Sequence, residues 1–476
     1  MSALDSSRIV GVVGAGAMGA GIAQVAAAAG HRVRLFDAVA GAALAGRSRV
    51  AQGLEPLVAK GRLRREEADD LVSRIEIAER IEALADASLV IEAIVEDLEV
   101  KRALLAQLET IVAPDAILAS NTSSLSITSI ARFAKAPERV AGLHFFNPAP
   151  VMKLVEIVSG IVTAPAIAER LFATARAWGK VAVHVKSTPG FIVNRVARPY
   201  YAEALRLYEE QVASPATIDA LLTEGGGFRM GPFELMDLIG HDVNYAVTLS
   251  VFNAYYQDPR FRPSIAQLEL VNAGRLGRKS GAGFYQYGAS ARKPTAATVS
   301  APEGTRALEG FAIGRDSVID GVLIAQTDGR TARSRSAVVG YPVILMDLIA
   351  SSTAGMRVGF TVSPEVSPKV VDRLVATLAL QGLTATQLPD WPGLVVMRTV
   401  AMLANEAFEV VMHGVATDAD IDAAMKAGVN YPRGPVEWAR DIGVGVILSV
   451  IDHIHEQTQD PRYRASLALR MASRPT

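Results

Sequence analysis

The sequence predicts an α/β protein in which a doubly wound parallel sheet is followed by a helical domain that occurs twice. Three observations lead to this fold class. Short β-branched runs alternate with helical stretches as far as residue 187, and helical periodicity with Gly and Pro punctuation follows. Several motifs of the helical part then recur 203 residues later, from Pro189 to Pro392.

The composition excludes several classes of protein. Of the 476 residues, 50% are hydrophobic and 20% charged, which is unlike a disordered chain. The 48 Lys and Arg against 49 Asp and Glu leave no basic field for nucleic acid or an anionic membrane, so neither partner is expected. No cysteine is present, which excludes disulfides and thiolate sites, and we expect no metal. The polar N-terminus and the short apolar runs predict a soluble, cytoplasmic protein.

The first 40 residues contain a strand, a glycine-rich turn, a helix, a second strand and an acid. They are in turn Arg8–Val13, the run Gly14-Ala15-Gly16-Ala17-Met18-Gly19, an Ala-rich stretch to Ala29, Arg32–Phe36, and Asp37. This order is typical of the Rossmann βαβ unit that binds a dinucleotide.

Each glycine of the turn has a physical role in such a unit. Gly14 permits the tight turn, Gly16 lets the backbone approach a pyrophosphate, and Gly19 lets the helix pack close to the sheet, while the helix N-terminus offers N–H groups to phosphates. Asp37 follows Gly19 by 18 residues, where a carboxylate can accept hydrogen bonds from a ribose diol. A 2′-phosphate there would be repelled, so NAD is the predicted cofactor.

The remaining chain divides by composition. Residues 40–85 predict a pair of helices inserted in an NAD-binding domain of residues 1–187, which has five further strands: Ser88–Ala93, Ala116–Ser120, Arg139–Phe146, Lys153–Val158 and Lys180–Val185. The other predicted segments are a helical domain (188–288), a linker (289–304), a small α/β segment without a glycine fingerprint (305–388), and a second helical domain (389–476).

One group of polar residues follows the predicted strand ends: Asn121-Thr122-Ser123-Ser124, His144-Phe145-Phe146-Asn147-Pro148, and Glu156. Open α/β sheets place their sites at such ends. Ser123 or Ser124 could instead cap the next helix, and His144 could be a core histidine. Glu156 is harder to explain structurally, because an unpaired carboxylate within an apolar strand costs several kcal/mol. From the residues alone, a His144–Glu156 catalytic pair and a structural role stay equally open.

The stretch from Ile9 to Tyr287 resembles the (S)-3-hydroxyacyl-CoA dehydrogenase family. The matching motifs are the glycine turn, Ser-Asn-Thr-Ser-Ser-Leu at 120–125, His-Phe-Phe-Asn-Pro-Ala-Pro-Val-Met-Lys-Leu-Val-Glu at 144–156, Pro-Gly-Phe-Ile-Val-Asn-Arg at 189–195, Met-Gly-Pro-Phe-Glu-Leu at 230–235 and Gly-Arg-Lys-Ser-Gly-Ala-Gly-Phe-Tyr at 277–285. The extra helical copy is most similar to the long bacterial form associated with phenylacetate catabolism. That resemblance implies 3-hydroxyadipyl-CoA or short-chain 3-hydroxybutyryl-CoA as substrate.

The resemblance also implies roles for individual residues. His144 would be the general base toward the substrate 3-hydroxyl, Glu156 would orient its ring, and Ser123 and Asn194 would hold the substrate, in a cleft between the two domains. NAD contacts would come from Gly14, Gly16, Ala17, Met18, Gly19, Asp37, Glu96, Lys101, Asn147 and Lys279. Composition alone would place Glu96, Lys101 and Lys279 among solvated surface charges. Lys60 would meet the CoA phosphate, whereas Gly53 stands where relatives carry a polar CoA contact.

The second copy departs from the family pattern. Met397 occupies the place of Asn194, and no His-Phe-Phe-Asn counterpart lies near Gly359–Pro364, so we expect a structural repeat. Such a repeat could replace a dimer contact within one chain, which leaves monomer and homodimer open.

Two other functions remain open at this stage. One is a β-hydroxyacid dehydrogenase of the 6-phosphogluconate type, which relies on a catalytic lysine in the helical domain. The other is a non-enzymatic protein on a dehydrogenase scaffold. The retention of His144, Glu156, Ser123 and Asn194 argues against both. Arg195, Arg198 and Arg229 are candidates to bind a dicarboxylate substrate.

Overall fold

The computed structural model describes residues 2–350 and 354–474, so the outermost residues of the predicted first and last domains, and residues 351–353 of the small α/β segment, lie outside it. The chain forms two compact units. The first contains the residues up to Val193 together with His413–Val429, and the second contains Asn194–Met412 and the residues from Asn430 onward.

The first unit contains a sheet of eight strands in the order β3-β2-β1-β4-β5-β6-β7-β8. The strands are β1 (Ile9–Val13), β2 (Val33–Phe36), β3 (Ile75–Ala78), β4 (Ala87–Glu92), β5 (Ile117–Ser120), β6 (Val140–Phe145), β7 (Leu154–Ser159) and β8 (Val181–Lys186). All neighbours are parallel except β6 and β7, which pair antiparallel. The doubly wound parallel sheet predicted from the sequence is therefore confirmed.

Six helices up to residue 177 accompany this sheet: α1 (Ala17–Ala28), α2 (Ala42–Ala59), α3 (Arg65–Ser73), α4 (Leu98–Glu109), α5 (Ile127–Ile130) and α6 (Pro165–Ala177). The core lies where they cover the strands, as in the fully buried pairs of Val10 and Val12 on β1 with Ile22 and Ala26 on α1. Burial on both faces explains why these strands are continuous apolar runs.

The insert at 40–85 is only partly as predicted. The helices α2 and α3 are present, but the segment also contains strand β3, which extends the sheet by pairing parallel with β2. Four residues, Ile-Glu-Ile-Ala, are too few for alternation to stand out against the helical sequence before them. The prediction of helices alone across 40–85 was therefore wrong at its C-terminal end.

The second unit contains the helices α7 (Val193–Val196), α8 (Arg198–Glu209), α9 (Pro215–Ala220), α10 (Pro232–Ile239), α11 (His241–Ala254), α12 (Ile265–Asn272), α13 (Ala332–Val339), α14 (Pro368–Leu380), α15 (Val396–Met412), α17 (Pro435–Ile442), α18 (Val444–Thr458) and α19 (Leu467–Ala472). The remaining helix, α16 (Asp418–Val429), belongs to the first unit, and Val193 of α7 is that unit's last residue before the break.

A five-stranded sheet occupies the predicted small α/β segment, in the order β13-β12-β11-β10-β9. Its strands are β9 (Ser317–Ile319), β10 (Val322–Gln326), β11 (Val343–Met346), β12 (Arg357–Val362) and β13 (Thr384–Gln387). From β10 to β13 the pairings are parallel, antiparallel and parallel, as they are from β5 to β8. This segment therefore repeats the second half of the first sheet and lacks its glycine-turn half.

Two buried ion pairs connect the helical copies within the second unit. Arg195 Nε donates to Glu406 at 2.6 Å, and Arg398 Nε donates to Glu203 at 2.7 Å. The two pairs are related by the 203-residue offset, with each arginine in one copy and its acid in the other. All four side chains are almost fully buried, so each charge depends on its partner, and loss of either one would be strongly destabilising.

Helix α16 packs on the first sheet although it belongs to the second helical copy. Lys186 N, at the end of β8, donates to Val415 O at 2.8 Å. A Cβ on Gly428 would lie 2.5 Å from Leu154 Cδ2, so the glycine allows a close approach to β7. Conversely, Glu224 of the first copy pairs with Arg357 of β12 at 2.8 Å within the second unit. Each helical copy thus contacts the sheet of the other half.

Within residues 2–350 and 354–474, none of the helices has both the length and the apolar character needed to cross a membrane.

Candidate active site

The glycine turn between β1 and α1 has the geometry that its sequence predicts. Gly14 has φ +96°, and a Cβ there would lie 2.6 Å from Ala93 O. A Cβ on Gly19 would lie 1.7 Å from Gly14 O, so only glycine allows the helix to start this close to the turn. A Cβ on Gly16, by contrast, would meet nothing within 4 Å. Open space in front of this backbone suits the close approach of a pyrophosphate.

Asp37 holds the same turn from the end of β2. Its Oδ2 accepts from Ala15 N at 2.7 Å and its Oδ1 from Val39 N at 2.9 Å. Helix α1 begins at Ala17 with no side-chain cap and no acidic residue in its first turn, so its terminal N–H groups are available to an anion. Ala17 is exposed and Met18 is half-buried on that turn. These residues together fit the phosphates and ribose of a dinucleotide.

Glu96 and Lys101 form a network beneath the end of β4. Lys101 is buried, and its Nζ donates to both carboxylate oxygens of Glu92 at 2.9 Å and lies 3.3 Å from Glu96. Ser120 donates to the same Glu92 carboxylate. The interpretation of Lys101 as a solvated surface charge was therefore wrong, because α4 turns this lysine inward onto a buried acid.

Glu96 organises the loop that contains Ser123. Its Oε1 accepts from Thr122 Oγ1 at 2.6 Å, Ser124 Oγ at 2.9 Å and Ser123 N at 3.0 Å. Burial raises the pKa of Glu96, but the hydrogen bond from Thr122 and the charge of Lys101 outweigh it, so the pKa is lowered overall. The loop is thus fixed by an ionised carboxylate.

Helix α5 is capped by Ser126, whose side chain accepts from Ser129 N. The alternative explanation of Ser123 or Ser124 as helix caps therefore does not hold. Ser123 lies before this cap, in the loop bound by Glu96.

His144 and Glu156 lie opposite each other on the antiparallel strands β6 and β7. His144 Nδ1 is 2.7 Å from Glu156 Oε2, and both side chains are buried. Because a carboxylate can only accept, Nδ1 carries the proton and Nε2 is the nitrogen left for other chemistry. A histidine in this tautomer is suited to accept a proton.

The other carboxylate oxygen of Glu156 accepts hydrogen bonds from the backbone at the start of helix α7. Oε1 accepts from Ile192 N at 3.0 Å and Val193 N at 3.1 Å. The rings of Phe191 and Phe146 pack on His144, with centroids 5.8 and 4.5 Å away. The imidazole is therefore held by a carboxylate and by two aromatic rings, so its orientation is fixed before any ligand binds.

The other predicted site residues are dispersed. Asn147 is exposed at the end of β6, and Lys60 is exposed at the C-terminus of α2. A Cβ on Gly53 would meet nothing within 4 Å. Asn194 and Lys279 belong to the second unit, where Asn194 lies in α7 and Lys279 Nζ is 2.6 Å from Asp242.

Sequence reasoning missed two buried acids. Glu92, the partner of Lys101, ends the apolar run Leu89-Val90-Ile91, the same signal that singled out Glu156. Asp237 pairs with His241 at 2.7 Å and accepts from Phe284 N and Tyr285 N at 2.9 Å. Its i, i+4 spacing to His241 on a helix was the available signal. Among the described residues, no group of three or more His, Asp and Glu side chains could hold a metal ion.

Comparisons with known proteins bear on this site. The model of the 3-hydroxyacyl-CoA dehydrogenase NAD binding domain matches residues 9–188. The C-terminal domain of the same family matches residues 190–287 and again 393–475, which confirms the repeat. A 3-hydroxybutyryl-CoA dehydrogenase reduced Rossmann-fold domain matches residues 324–392.

Individual relatives agree with these matches. A 3-hydroxyadipyl-CoA dehydrogenase of Escherichia coli K12 is 46% identical over 97% of this chain and 97% of its own length. A 3-hydroxybutyryl-CoA dehydrogenase of Mycobacterium tuberculosis is 42% identical over 60% of this chain and 99% of its own. The crystal structure of a 3-hydroxybutyryl-CoA dehydrogenase from Escherichia coli K12 has a TM-score of 0.94 at 45% identity, over 99% of this chain and 98% of that one.

The glycine turn, the paired His144 and Glu156 and the matched motifs therefore lead to one conclusion: the chain belongs to the 3-hydroxyacyl-CoA dehydrogenase family and is an NAD-dependent oxidoreductase.

Proposed function

We propose that the chain oxidises (S)-3-hydroxyacyl-CoA to 3-oxoacyl-CoA with His144 as general base. The observation that carries this proposal is the buried contact of 2.7 Å between His144 Nδ1 and Glu156 Oε2. Bound NAD supplies the acceptor for the hydride that leaves C3 of the substrate. His144 Nε2 takes the proton of the 3-hydroxyl, and Glu156 stabilises the imidazolium that forms.

Glu156 is a positioning residue as well as a charge partner. One carboxylate oxygen contacts the histidine ring, and the other accepts hydrogen bonds from the backbone N–H groups of Ile192 and Val193. A carboxylate held at both ends loses little further entropy when it orients the ring. Neutral imidazole with Nδ1 protonated is the form that can accept the substrate proton.

Ser123 and Asn194 are proposed to hold the substrate. Ser123 belongs to a loop that Glu96 fixes through three successive residues, so its backbone has a defined position. Asn194 lies directly after Val193, whose N–H Glu156 binds, so the same carboxylate fixes the backbone just before the asparagine. Lys60 is proposed to meet CoA phosphate. Glu96, Lys101, Asn147 and Lys279 are proposed NAD contacts.

The acyl group is proposed to be 3-hydroxyadipyl or 3-hydroxybutyryl. A relative that spans 97% of this chain is named for the first, whereas a solved structure that spans 99% of it and a relative that matches 60% of it are named for the second. Reduction of NAD on addition of each CoA thioester tests the proposal, with 6-phosphogluconate as the control substrate. Turnover of a CoA thioester alone supports it. Turnover of 6-phosphogluconate, or of neither CoA thioester, contradicts it.

The chain is further proposed to be a cytoplasmic monomer. The reciprocal pairs Arg195–Glu406 and Arg398–Glu203, and the helix α16 on the first sheet, supply within one chain the kind of twofold contact that two subunits make. Light scattering on the purified protein should give the mass of one chain. A stable dimer mass would contradict this, and fractionation of the native host checks the compartment.

A further inference from the structure

A cavity of about 1030 Å³ lies in the second unit. Helices α8 and α11 and the segment 260–267 form its walls. Tyr201, Leu205, Tyr245 and Leu249 supply aromatic and aliphatic surface, and Arg198 lines it as a cation. A cavity with apolar walls and a cation suits an apolar chain that ends in an anion.

Arg198 is buried there without a carboxylate. It is 6% exposed, and its Nη1 donates to the hydroxyl of Thr248 at 3.0 Å. Its guanidinium lies 4.8 Å from the ring of Tyr201. Within residues 2–350 and 354–474, Nε has no hydrogen-bond acceptor and no acidic side chain forms an ion pair with Arg198. Burial lowers the pKa of Arg198, which Tyr201 opposes only in part.

The other arginines of this cavity differ from Arg198. Arg206 pairs with Asp460 at 2.7 Å, and Arg260 pairs with Glu406 at 2.8 Å. Arg462 Nε also lacks an acceptor, but the charges of Glu203 and Asp460 act on it. Arg198 is therefore the buried arginine of this cavity on which no carboxylate acts, and buried charges of this kind are compensated by a ligand or by pairing.

The position of Arg198 relates it to the substrate. It follows Asn194, the proposed substrate contact, by one helical turn, about 6 Å along the axis. Ala197 between them has φ −78° and ψ −11°, so the chain stays near helical and residues four apart share a face. In a 3-hydroxyadipyl group, three carbon–carbon bonds separate the reacting C3 from the terminal carboxylate carbon.

We propose that Arg198 binds the terminal carboxylate of a dicarboxylic 3-hydroxyacyl-CoA, and that this contact gives the enzyme a preference for such substrates. This inference rests on the proposed function. The guanidinium fork can donate two parallel hydrogen bonds to a carboxylate. Thr248 holds Nη1 and leaves Nε for the ligand. Of the other two predicted arginines, Arg195 is bound to Glu406, and Arg229 is exposed and outside the lining of this cavity.

The test compares kcat/KM for 3-hydroxyadipyl-CoA and 3-hydroxybutyryl-CoA. In Arg198→Met the ratio of the two should fall by about tenfold or more, because one charge-assisted contact is lost. Arg198→Lys should keep part of the preference, and Arg229→Met, the matched control, should keep all of it. An unchanged ratio in Arg198→Met, or an equal loss for both substrates, overturns the proposal.

A second measurement uses the unaltered protein, so it stands even where Arg198→Met fails to fold. Adipyl-CoA and hexanoyl-CoA differ in the terminal carboxylate, and adipyl-CoA should inhibit about tenfold more tightly. Equal inhibition overturns the proposal. If the unaltered protein oxidises neither hydroxyacyl-CoA, the proposed function has failed instead, which the substrate assay alone detects.

Discussion

Each half of the chain has a buried carboxylate that accepts hydrogen bonds from equivalent backbone N–H groups, but the two carboxylates lie at non-equivalent positions. At the 203-residue offset, Asp347 stands where the first half has His144, and Gly359 stands where it has Glu156. The strand pairing preserves this relation, because His144 faces Glu156 across β6 and β7, while Asp347 N donates to Gly359 O at 2.8 Å. The second half therefore has one acid, Asp347, where the first half has a paired histidine and glutamate.

The carboxylate of Asp347 contacts the backbone and not a histidine. Asp347 accepts from Val395 N at 3.0 Å, Val396 N at 2.8 Å and Met397 N at 2.9 Å, as Glu156 accepts from the equivalent Ile192 and Val193. Burial raises the pKa of Asp347 to about 6 although these backbone hydrogen bonds oppose it. Both oxygens are occupied by backbone N–H groups, so none remains to orient a catalytic group.

The loop that follows β5 in the first half also differs from the loop that follows β10 in the second half. In the first half, Ser123 is held by Glu96, a residue from another strand end. In the second half, strand pairing places Asp328 at the position of Ser123, and Arg330 at 2.6 Å and Arg335 neutralise it. In both halves a buried carboxylate accepts hydrogen bonds from backbone N–H groups at the start of the equivalent helical segment, and in the first half that carboxylate also pairs with a histidine.

The largest expected effect is in His144→Gln. Glutamine cannot accept the substrate proton, so kcat should fall by about 10³–10⁴-fold. Because NAD is expected at the glycine turn, its affinity should not change when measured by calorimetry. Turnover within tenfold of the unaltered protein would disprove the assignment of the base.

Glu156→Gln should come next. The amide oxygen can still accept from Ile192 and Val193, but the amide nitrogen cannot accept from Nδ1 of His144. We expect kcat to fall by about 10²–10³-fold with a small loss of stability. Steady-state kinetics and urea unfolding on the same preparation separate the two effects. A large stability loss with normal kcat would make the acid purely structural.

Asp347→Ala is the matched change in the second half. It leaves the N–H groups of Val395, Val396 and Met397 without their acceptor in a buried setting. We expect the free energy of unfolding to drop by about 3 kcal/mol, while kcat per folded molecule stays the same. A kcat loss comparable to that of Glu156→Gln would contradict the division of roles between the halves.

The smallest effect concerns pH. The pKa of Glu96 is lowered below its ordinary 4.5 in the folded protein, so its contribution to stability is present above that pH and is lost as pH falls through the folded pKa. The free energy of unfolding of Glu96→Gln should therefore fall less steeply than that of the unaltered protein as the pH is lowered from about 5 to about 3. Urea midpoints at a series of pH values check this. Identical slopes in both proteins would contradict it.

Local patterns in the sequence were sufficient for part of this site. The spacing of Gly14, Gly16, Gly19 and Asp37 predicted the turn because each acts on backbone within a few residues or on one adjacent strand. Glu156 was noticed because an acid within an apolar strand requires a partner. Neither signal identified that partner, since the residues alone left the His144–Glu156 pair open.

Other features depended on contacts between distant segments. From composition Lys101 was interpreted as a solvated surface charge, yet α4 directs its side chain inward to a hydrogen bond with Glu92. Strand β3 was hidden because a strand of four residues is stabilised by its neighbour β2 more than by its own pattern. Arg195, Arg198 and Arg229 could not be distinguished until one proved bound to Glu406, one buried at a cavity and one exposed.

The sequence by itself determined the fold class, the dinucleotide turn, the duplication and the candidate residues His144 and Glu156, because these follow from short-range preferences and from spacing along the chain. Only the tertiary structure decided which residues meet. The antiparallel register of β6 and β7 brings His144 to Glu156, and the equivalent register in the second half brings Asp347 to Gly359. Such register is fixed by the packing of whole strands and helices, which no local segment encodes.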